Sequence, residues 1–262
     1  MTRKDDYYNR AKQQGYRARS AYKLRQLDDE AGLLAEGEIV VDLGAAPGGW
    51  MQVAAERVGA EGTVVGVDRQ RIRELEDVAA TVEYVRGDIT EDRTKDAIRE
   101  AVGAGMEKRP VDVVVSDMAP NMTGEYDLDH ARSVHLAQQA FEVARDVLAA
   151  GGDFVVKVFD GRDLDALEAE IDEEFEYVRQ MRPDASRKES SELYLVARNR
   201  LTAPVRTGDE LEVDIVDTGT EGDGIARVEG FTVFVPGTQP GETVIIEIED
   251  VKPNFAFGTV QR

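Results

Sequence analysis

The chain has 262 residues, 42% of them apolar, enough for one large domain or one large and one small. It has no cysteine, which excludes disulfides, zinc–thiolate sites and cysteine nucleophiles; no run reaches membrane-spanning length, and the N-terminus lacks the apolar stretch of a signal peptide. The net charge of −21 reads as the solvated acidic surface of an extreme halophile in a cytoplasmic protein, and argues against a nucleic-acid partner unless the charge is unevenly spread.

It is unevenly spread. Residues 1–25 carry Arg3, Lys4, Arg10, Lys12, Arg17, Arg19, Lys23 and Arg25 against Asp5 and Asp6, a local balance of +6 that leaves −27 on the remainder. Tyr7, Tyr8, Tyr16 and Tyr22 interleave with these cations. A basic arm with aromatic rings on an acidic body is a directed feature, suited to phosphates and stacked bases.

From Glu38 to Val196 the pattern alternates strand and helix. β-Branched runs occur at "EIVVDLG", "GTVVGVD", "VEYVRGD", "VDVVVSD" and "DFVVKVF", and helical periodicity at 49–58, 70–79, 93–103, 130–149 and 163–174. That order predicts βαβ units and a parallel α/β sheet. The strands end at Asp42/Gly44, Asp68, Asp88 and Asp117, a row of carboxylates on the edge where open α/β sheets bind ligands. In the last run, Lys157 stands among Phe154, Val155, Val156, Val158 and Phe159, a charge in a strand expected to be buried on both faces.

Beyond "LYLVARNRLTAP" the helical periodicity stops. Residues 204–262 show short alternating strands separated by Gly and Pro, which predict a small antiparallel barrel. A boundary near 200–204 divides the chain into residues 1–200 and 201–262. The second unit sets Arg206, Arg227, Lys252 and Arg262 against twelve Asp/Glu, a balance of −8 that argues against simple phosphate neutralisation.

The turn "VVDLGAAPGGW" spaces Gly44, Gly48 and Gly49 unlike the dinucleotide fingerprint, and no phosphate-cradling Gly-Lys-Ser/Thr follows. Asp68, 24 residues after Gly44, is placed for a ribose diol, and Asp88 for an adenine amino group. The ribose feature suits NAD and S-adenosylmethionine alike; the ordered set Gly44, Gly48, Asp68, Asp88 and Asp117 points to S-adenosylmethionine. His130 and His135 have no partners at metal-ligand spacing and read as structural, so no metal is expected.

Five separated blocks, "GYRARSAYKL", "DLGAAPGGW", "SDMAPNMTG", "GGDFVVKVF" and "SRKESSELYLVA", together resemble the FtsJ/RrmJ (RlmE) family of ribosomal RNA 2′-O-methyltransferases over roughly residues 7–198. The resemblance implies a Rossmann-like fold, S-adenosylmethionine as cofactor, and methylation of a uridine ribose in large-subunit (23S) ribosomal RNA by a monomer. It places the family's catalytic set on Lys23, Asp117, Lys157 and Glu192. Its cofactor contacts fall on Gly48, Trp50, Asp68, Asp88 and Asp117, and Arg17, Arg19 and Lys23 are the RNA-facing cations. The stretch "EGDGIARVEGFTVFVPGTQPGETVIIEIEDVKPNFAFGTV" resembles a TRAM domain, a pairing that suggests an archaeal protein. Transfer RNA as the substrate and a non-catalytic ribosome-assembly role are the competing expectations.

The chemistry fits the residues. Methyl transfer to a ribose hydroxyl is an in-line displacement that needs alignment and a proton acceptor. A lysine serves as that acceptor only in its neutral form, which burial and neighbouring cations favour and an adjacent carboxylate opposes. Lys157 is therefore assigned as the base and Asp117 as its orienting partner, with Lys23 and Glu192 holding the ribose and steadying the lysines.

Overall fold

The computed structural model describes residues 6–104, 110–187, 189–220, 222–228 and 230–261. Arg3, Lys4 and Asp5 of the basic arm lie outside these, as does Arg262.

Among the described residues, the first region is built on a seven-stranded sheet of order β3-β2-β1-β4-β5-β7-β6. Its strands are β1 (Ile39–Leu43), β2 (Thr63–Asp68), β3 (Thr81–Arg86), β4 (Val111–Ser116), β5 (Leu148–Phe159), β6 (Phe175–Met181) and β7 (Glu192–Arg200). The first five are parallel, whereas β7 runs antiparallel between β5 and β6. Helices α1 (Asp6–Gln13), α2 (Ala21–Ala31) and α3 (Gly49–Val58) precede β2, and α4 (Asp92–Ala101), α5 (Tyr126–Val147) and α6 (Leu164–Asp172) follow β3.

Alternation of side chains along each strand divides the core between the two faces of the sheet. Val41, Leu43, Phe154 and Val156 enter one cluster, where Phe141, Phe154 and Phe175 meet with ring centroids 5.7–6.4 Å apart. Val40, Val64, Val155 and Tyr194 enter the other, with Leu24, Leu27, Trp50 and Met51 from α2 and α3. The expected Rossmann-like sheet is thus present, and strand order reverses between β1 and β4, opening a crevice beyond their carboxyl ends.

Three local expectations need correction. Residues 70–79 form no helix despite their periodicity. Their backbone is committed elsewhere: Arg17 bonds the Arg73 and Glu74 carbonyls, Leu75 N donates to the Tyr84 hydroxyl, and Asp77 adopts φ +56°. The basic arm is largely folded: α1 and α2 pack through Tyr7, Tyr16 and Tyr22, and Tyr16 and Tyr22 are buried, so neither ring is open to a base. The third concerns the C-terminal strands. There β8 (Glu210–Thr218), β9 (Gly224–Val228), β10 (Phe231–Val235), β11 (Thr243–Val251) and β12 (Phe255–Val260) close a barrel around Val213, Val233, Ile246 and Ala256. It is not wholly antiparallel, because β10 and β12 close it in parallel. Lys252 joins the barrel to β6 by a 2.6 Å pair with Glu176.

Candidate active site

The centre of the site is Asp117, the first residue beyond β4. Parallel pairing of Ser116 with Val156 sets Asp117 beside Lys157, and antiparallel pairing sets Lys157 opposite Tyr194 and Phe159 opposite Glu192. Lys157 Nζ lies 2.9 Å from Asp117 Oδ1 and donates to the Asp117 carbonyl at 2.5 Å. Lys23, brought in by α2, lies 2.7 Å from Glu192 Oε1 and 3.6 Å from Asp117 Oδ1. The two lysines are both 8% exposed, which answers the anomaly of a lysine in an apolar strand: each is buried against a carboxylate. Four residues from four separate elements meet within one network.

Tyr194 is a fifth member that sequence reasoning missed. Its hydroxyl donates to Asp117 Oδ1 at 2.6 Å, while its ring lies 5.7 Å from Lys23 Nζ and 5.8 Å from the Trp50 ring. The available signal was spacing, since residues 192 and 194 project to the same face of one strand. Burial, together with the charges of Asp117 and Glu192, raises the Tyr194 pKa well above the phenol range, so the hydroxyl remains a donor. For Asp117, burial acts upward, but the ammoniums of Lys157 and Lys23 and the bonds from Tyr194 and Lys157 outweigh it and hold the carboxyl below its ordinary range.

Beside Asp117 runs a cleft of about 1060 Å³ lined by Gly44, Ala46, Asp68, Asp88, Ile89 and Met118, among others. Gly44 has φ +82°, and a Cβ there would fall 2.4 Å from the Met118 side chain. The strand end is thus open only because position 44 is glycine. Asp68 accepts from Ala46 N at 3.0 Å and Gln70 N at 2.7 Å, which fixes its carboxylate at the cleft wall. Asp88 accepts from the Thr90 backbone and hydroxyl, and these bonds hold its pKa below the usual range. A wall of three carboxylates with apolar Val67, Ile89, Met118 and Leu136 between them suits a ligand rich in donors, partly cationic, with an apolar ring system. S-adenosylmethionine, with a ribose diol, an exocyclic amine and a sulfonium, has that character.

Other sequence-predicted residues sit elsewhere. Gly48 caps α3 at φ +105° and is covered by the Arg17 guanidinium. Trp50 is buried, with Nε1 donating to Ser20 O at 2.7 Å. Neither is among the residues lining the cleft. Arg17 bonds the carbonyls of Pro47, Arg73 and Glu74, and Arg19 that of Ala185, so both arginines brace the protein itself. Asp42 lies beneath the strand edge rather than on it: it is 1% exposed and faces α3, and burial followed by the charges of Asp117 and Asp68 raises its pKa well above the carboxylate range. His130 is buried, with Nδ1 2.9 Å from Phe159 O and Nε2 accepting from Asp163 N at 3.1 Å, whereas His135 lies on the cleft wall. No metal-holding group of His, Asp or Glu occurs among the described residues, nor a helix long and apolar enough to cross a membrane.

Comparison with known proteins identifies the family. Residues 16–200 match the model of the FtsJ-like methyltransferases, and residues 204–261 match that of the TRAM domain. The protein named ribosomal RNA large subunit methyltransferase E of Haloarcula marismortui is 72% identical over 258 residues, covering 98% of both chains. Its namesake from Natronomonas pharaonis is 63% identical over 257 residues, covering 98% of both. A Plasmodium falciparum crystal structure described as a ribosomal RNA methyltransferase aligns with a TM-score of 0.61 and 26% identity, over 71% of this chain and 98% of that one. The acidic composition accords with these haloarchaeal relatives.

Proposed function

The chain belongs to the FtsJ-like methyltransferase family and carries a TRAM domain, and from that premise we propose that it methylates the ribose 2′-hydroxyl of a uridine in large-subunit ribosomal RNA, using S-adenosylmethionine. The observation that carries this reading is the convergence of Lys23, Asp117, Lys157, Glu192 and Tyr194 beside a carboxylate-lined cleft.

Bound S-adenosylmethionine supplies an electrophilic methyl group on a sulfonium. Asp68 would hold its ribose diol, Asp88 its adenine amine, and Asp117 would face the sulfonium side. Gly48 and Trp50 support the cofactor indirectly, through the turn after β1 and the packing on Tyr194. As the sulfur–methyl bond breaks and the 2′-oxygen gains the methyl, that oxygen passes its proton to Lys157 Nζ, which takes it in the neutral amine form. Asp117 keeps that amine in place through two acceptors, its carboxylate and its own carbonyl. Tyr194 satisfies the same carboxylate without adding charge, and Lys23 provides a fixed positive charge for the oxygen as its O–H bond weakens. Glu192 fixes Lys23.

RNA approaches, in this reading, over the basic N-terminal segment of a cytoplasmic monomer. Lys23 belongs to the network itself, and Arg19 lies close enough to Glu192 and Arg187 for each to act on it electrostatically. Arg17 contributes charge while bracing the cofactor-side loops. Incorporation of labelled methyl groups from S-adenosylmethionine tests the function. Large-subunit ribosomal RNA is expected to be labelled and transfer RNA not; the reverse pattern would move the substrate assignment to transfer RNA.

A further inference from the structure

Tyr126, the first residue of α5, is 59% exposed, yet its hydroxyl donates to the Asp160 carbonyl at 2.6 Å. Asp160 stands just beyond β5, three residues after Lys157. The same residue accepts from Arg182 Nη2 at 2.7 Å, and Arg182 Nη1 donates to the Glu192 carbonyl at 3.3 Å. A continuous chain of contacts therefore joins the Tyr126 ring to the lysine–carboxylate network. An exposed tyrosine ordinarily directs its hydroxyl to water, and single exposed apolar side chains need no explanation. Here the polar edge is fastened to the backbone just beyond β5 and the ring is left open to solvent. Met122, at 62% exposure, and Leu128, at 38%, extend the apolar surface on the same segment. The cation joined to the same residue is Arg182, its side chain 48% exposed and paired with the Asp160 carboxylate, on a chain of net charge −21.

We propose that the Tyr126 ring is a fastened stacking platform for an unpaired RNA base at the mouth of the site, with Arg182 meeting an adjacent phosphate; this rests on the RNA reading given above. Unpaired bases are held in RNA-binding proteins by stacking on aromatic faces, a contact indifferent to salt, whereas phosphate contacts are salt-dependent. Fastening the hydroxyl restricts the ring before RNA arrives, which lowers the ordering cost of stacking.

The test uses the full chain and a labelled single-stranded oligouridylate, with binding followed by fluorescence anisotropy over a range of salt. Tyr126→Ala is expected to weaken binding by about 5- to 100-fold with an unchanged salt slope. Tyr126→Trp should bind within about 3-fold of the unsubstituted protein, since it keeps a stacking face. Arg182→Ala should instead lower the salt slope by about one ion. Thermal midpoints and S-adenosylmethionine affinity should not change in Tyr126→Ala. If the unsubstituted protein binds oligouridylate and Tyr126→Ala binds equally well, the platform is refuted while the RNA reading stands. An equal loss in the Ala and Trp variants also refutes it. If the unsubstituted protein binds neither oligouridylate nor ribosomal RNA, the RNA reading itself falls.

Discussion

Lys157 holds Asp117 at two points, its ammonium 2.9 Å from the carboxylate and 2.5 Å from the carbonyl of the same residue. These two contacts direct the Lys157 Nζ into the site. Lys157→Ala should reduce single-turnover methyl transfer by at least about 100-fold, the low end for loss of a general base. Binding of S-adenosylmethionine, measured by calorimetry, should stay within about 3-fold, because the cleft-lining residues do not include Lys157. Lys157→Arg should not restore turnover, since a guanidinium does not give up its proton.

Tyr194→Phe removes one donor from the Asp117 carboxylate and leaves the packing intact. Loss of a hydrogen bond to a charged acceptor is worth about 1.5–3 kcal/mol, so turnover should fall about 10- to 100-fold. Asp117 is held below its ordinary pKa by its lysine and tyrosine partners against the opposing effect of burial. Its stabilising ionisation is present above the unfolded value near ~3.9 and is lost as pH falls through the depressed folded value. Removing the phenol moves that folded value upward, so the Asp117 carboxyl should titrate at higher pH in the variant, as read by carboxyl NMR. An unmoved Asp117 titration would show that the Tyr194 hydroxyl does not hold it down.

Asp42 gives a prediction of opposite sign. Burial, reinforced by Asp117 and Asp68, raises its pKa, and Oδ2 has no hydrogen-bond partner among the described residues. The native state keeps its proton above pH ~3.9 while the unfolded chain releases it, so this group lowers stability as pH rises. Asp42→Asn preserves the shape without the titration. Denaturant midpoints should match near pH 4 and favour the Asn variant increasingly toward pH 8. A constant difference across that range would exclude a raised Asp42.

Arg17 separates bracing from RNA contact. Its guanidinium ties Pro47 in the glycine turn to Arg73 and Glu74 in the loop after β2, both beside the cofactor cleft. Arg17→Ala should weaken S-adenosylmethionine binding by about 5- to 30-fold, as expected from lost hydrogen bonds to a charged donor. An Arg19→Ala variant should instead leave cofactor affinity intact and lower the salt dependence of RNA binding. Equal cofactor affinity in the two variants would assign Arg17 to RNA alone.

The alternation of strands and helices, the row of strand-end carboxylates and the lone lysine of the last strand could be read from the sequence because each rests on local signals: β-branched runs, glycine turns, and a charge in an apolar strand. The four residues Lys23, Asp117, Lys157 and Glu192 were named by resemblance, and only the sheet registers explain why they meet. What was not legible depends on partners distant in sequence. The periodicity of 70–79 is real, but the Arg17 side chain captures two of the carbonyls a helix would use. Tyr194 acquires its place in the network only through its bond to Asp117, 77 residues away in sequence. The parallel closure of β10 on β12 is likewise a long-range pairing with no local signature. Tyr126 was invisible because exposure and a fastened hydroxyl are facts of tertiary structure.

The most direct test of the central claim is the chemical position of the transferred methyl group. Large-subunit ribosomal RNA is incubated with the protein and labelled S-adenosylmethionine, digested to nucleosides, and the modified nucleotide mapped by mass spectrometry. The account predicts 2′-O-methyluridine at a defined position, absent with Lys157→Ala. A methyl group on a base, or an undiminished yield from Lys157→Ala, would contradict it.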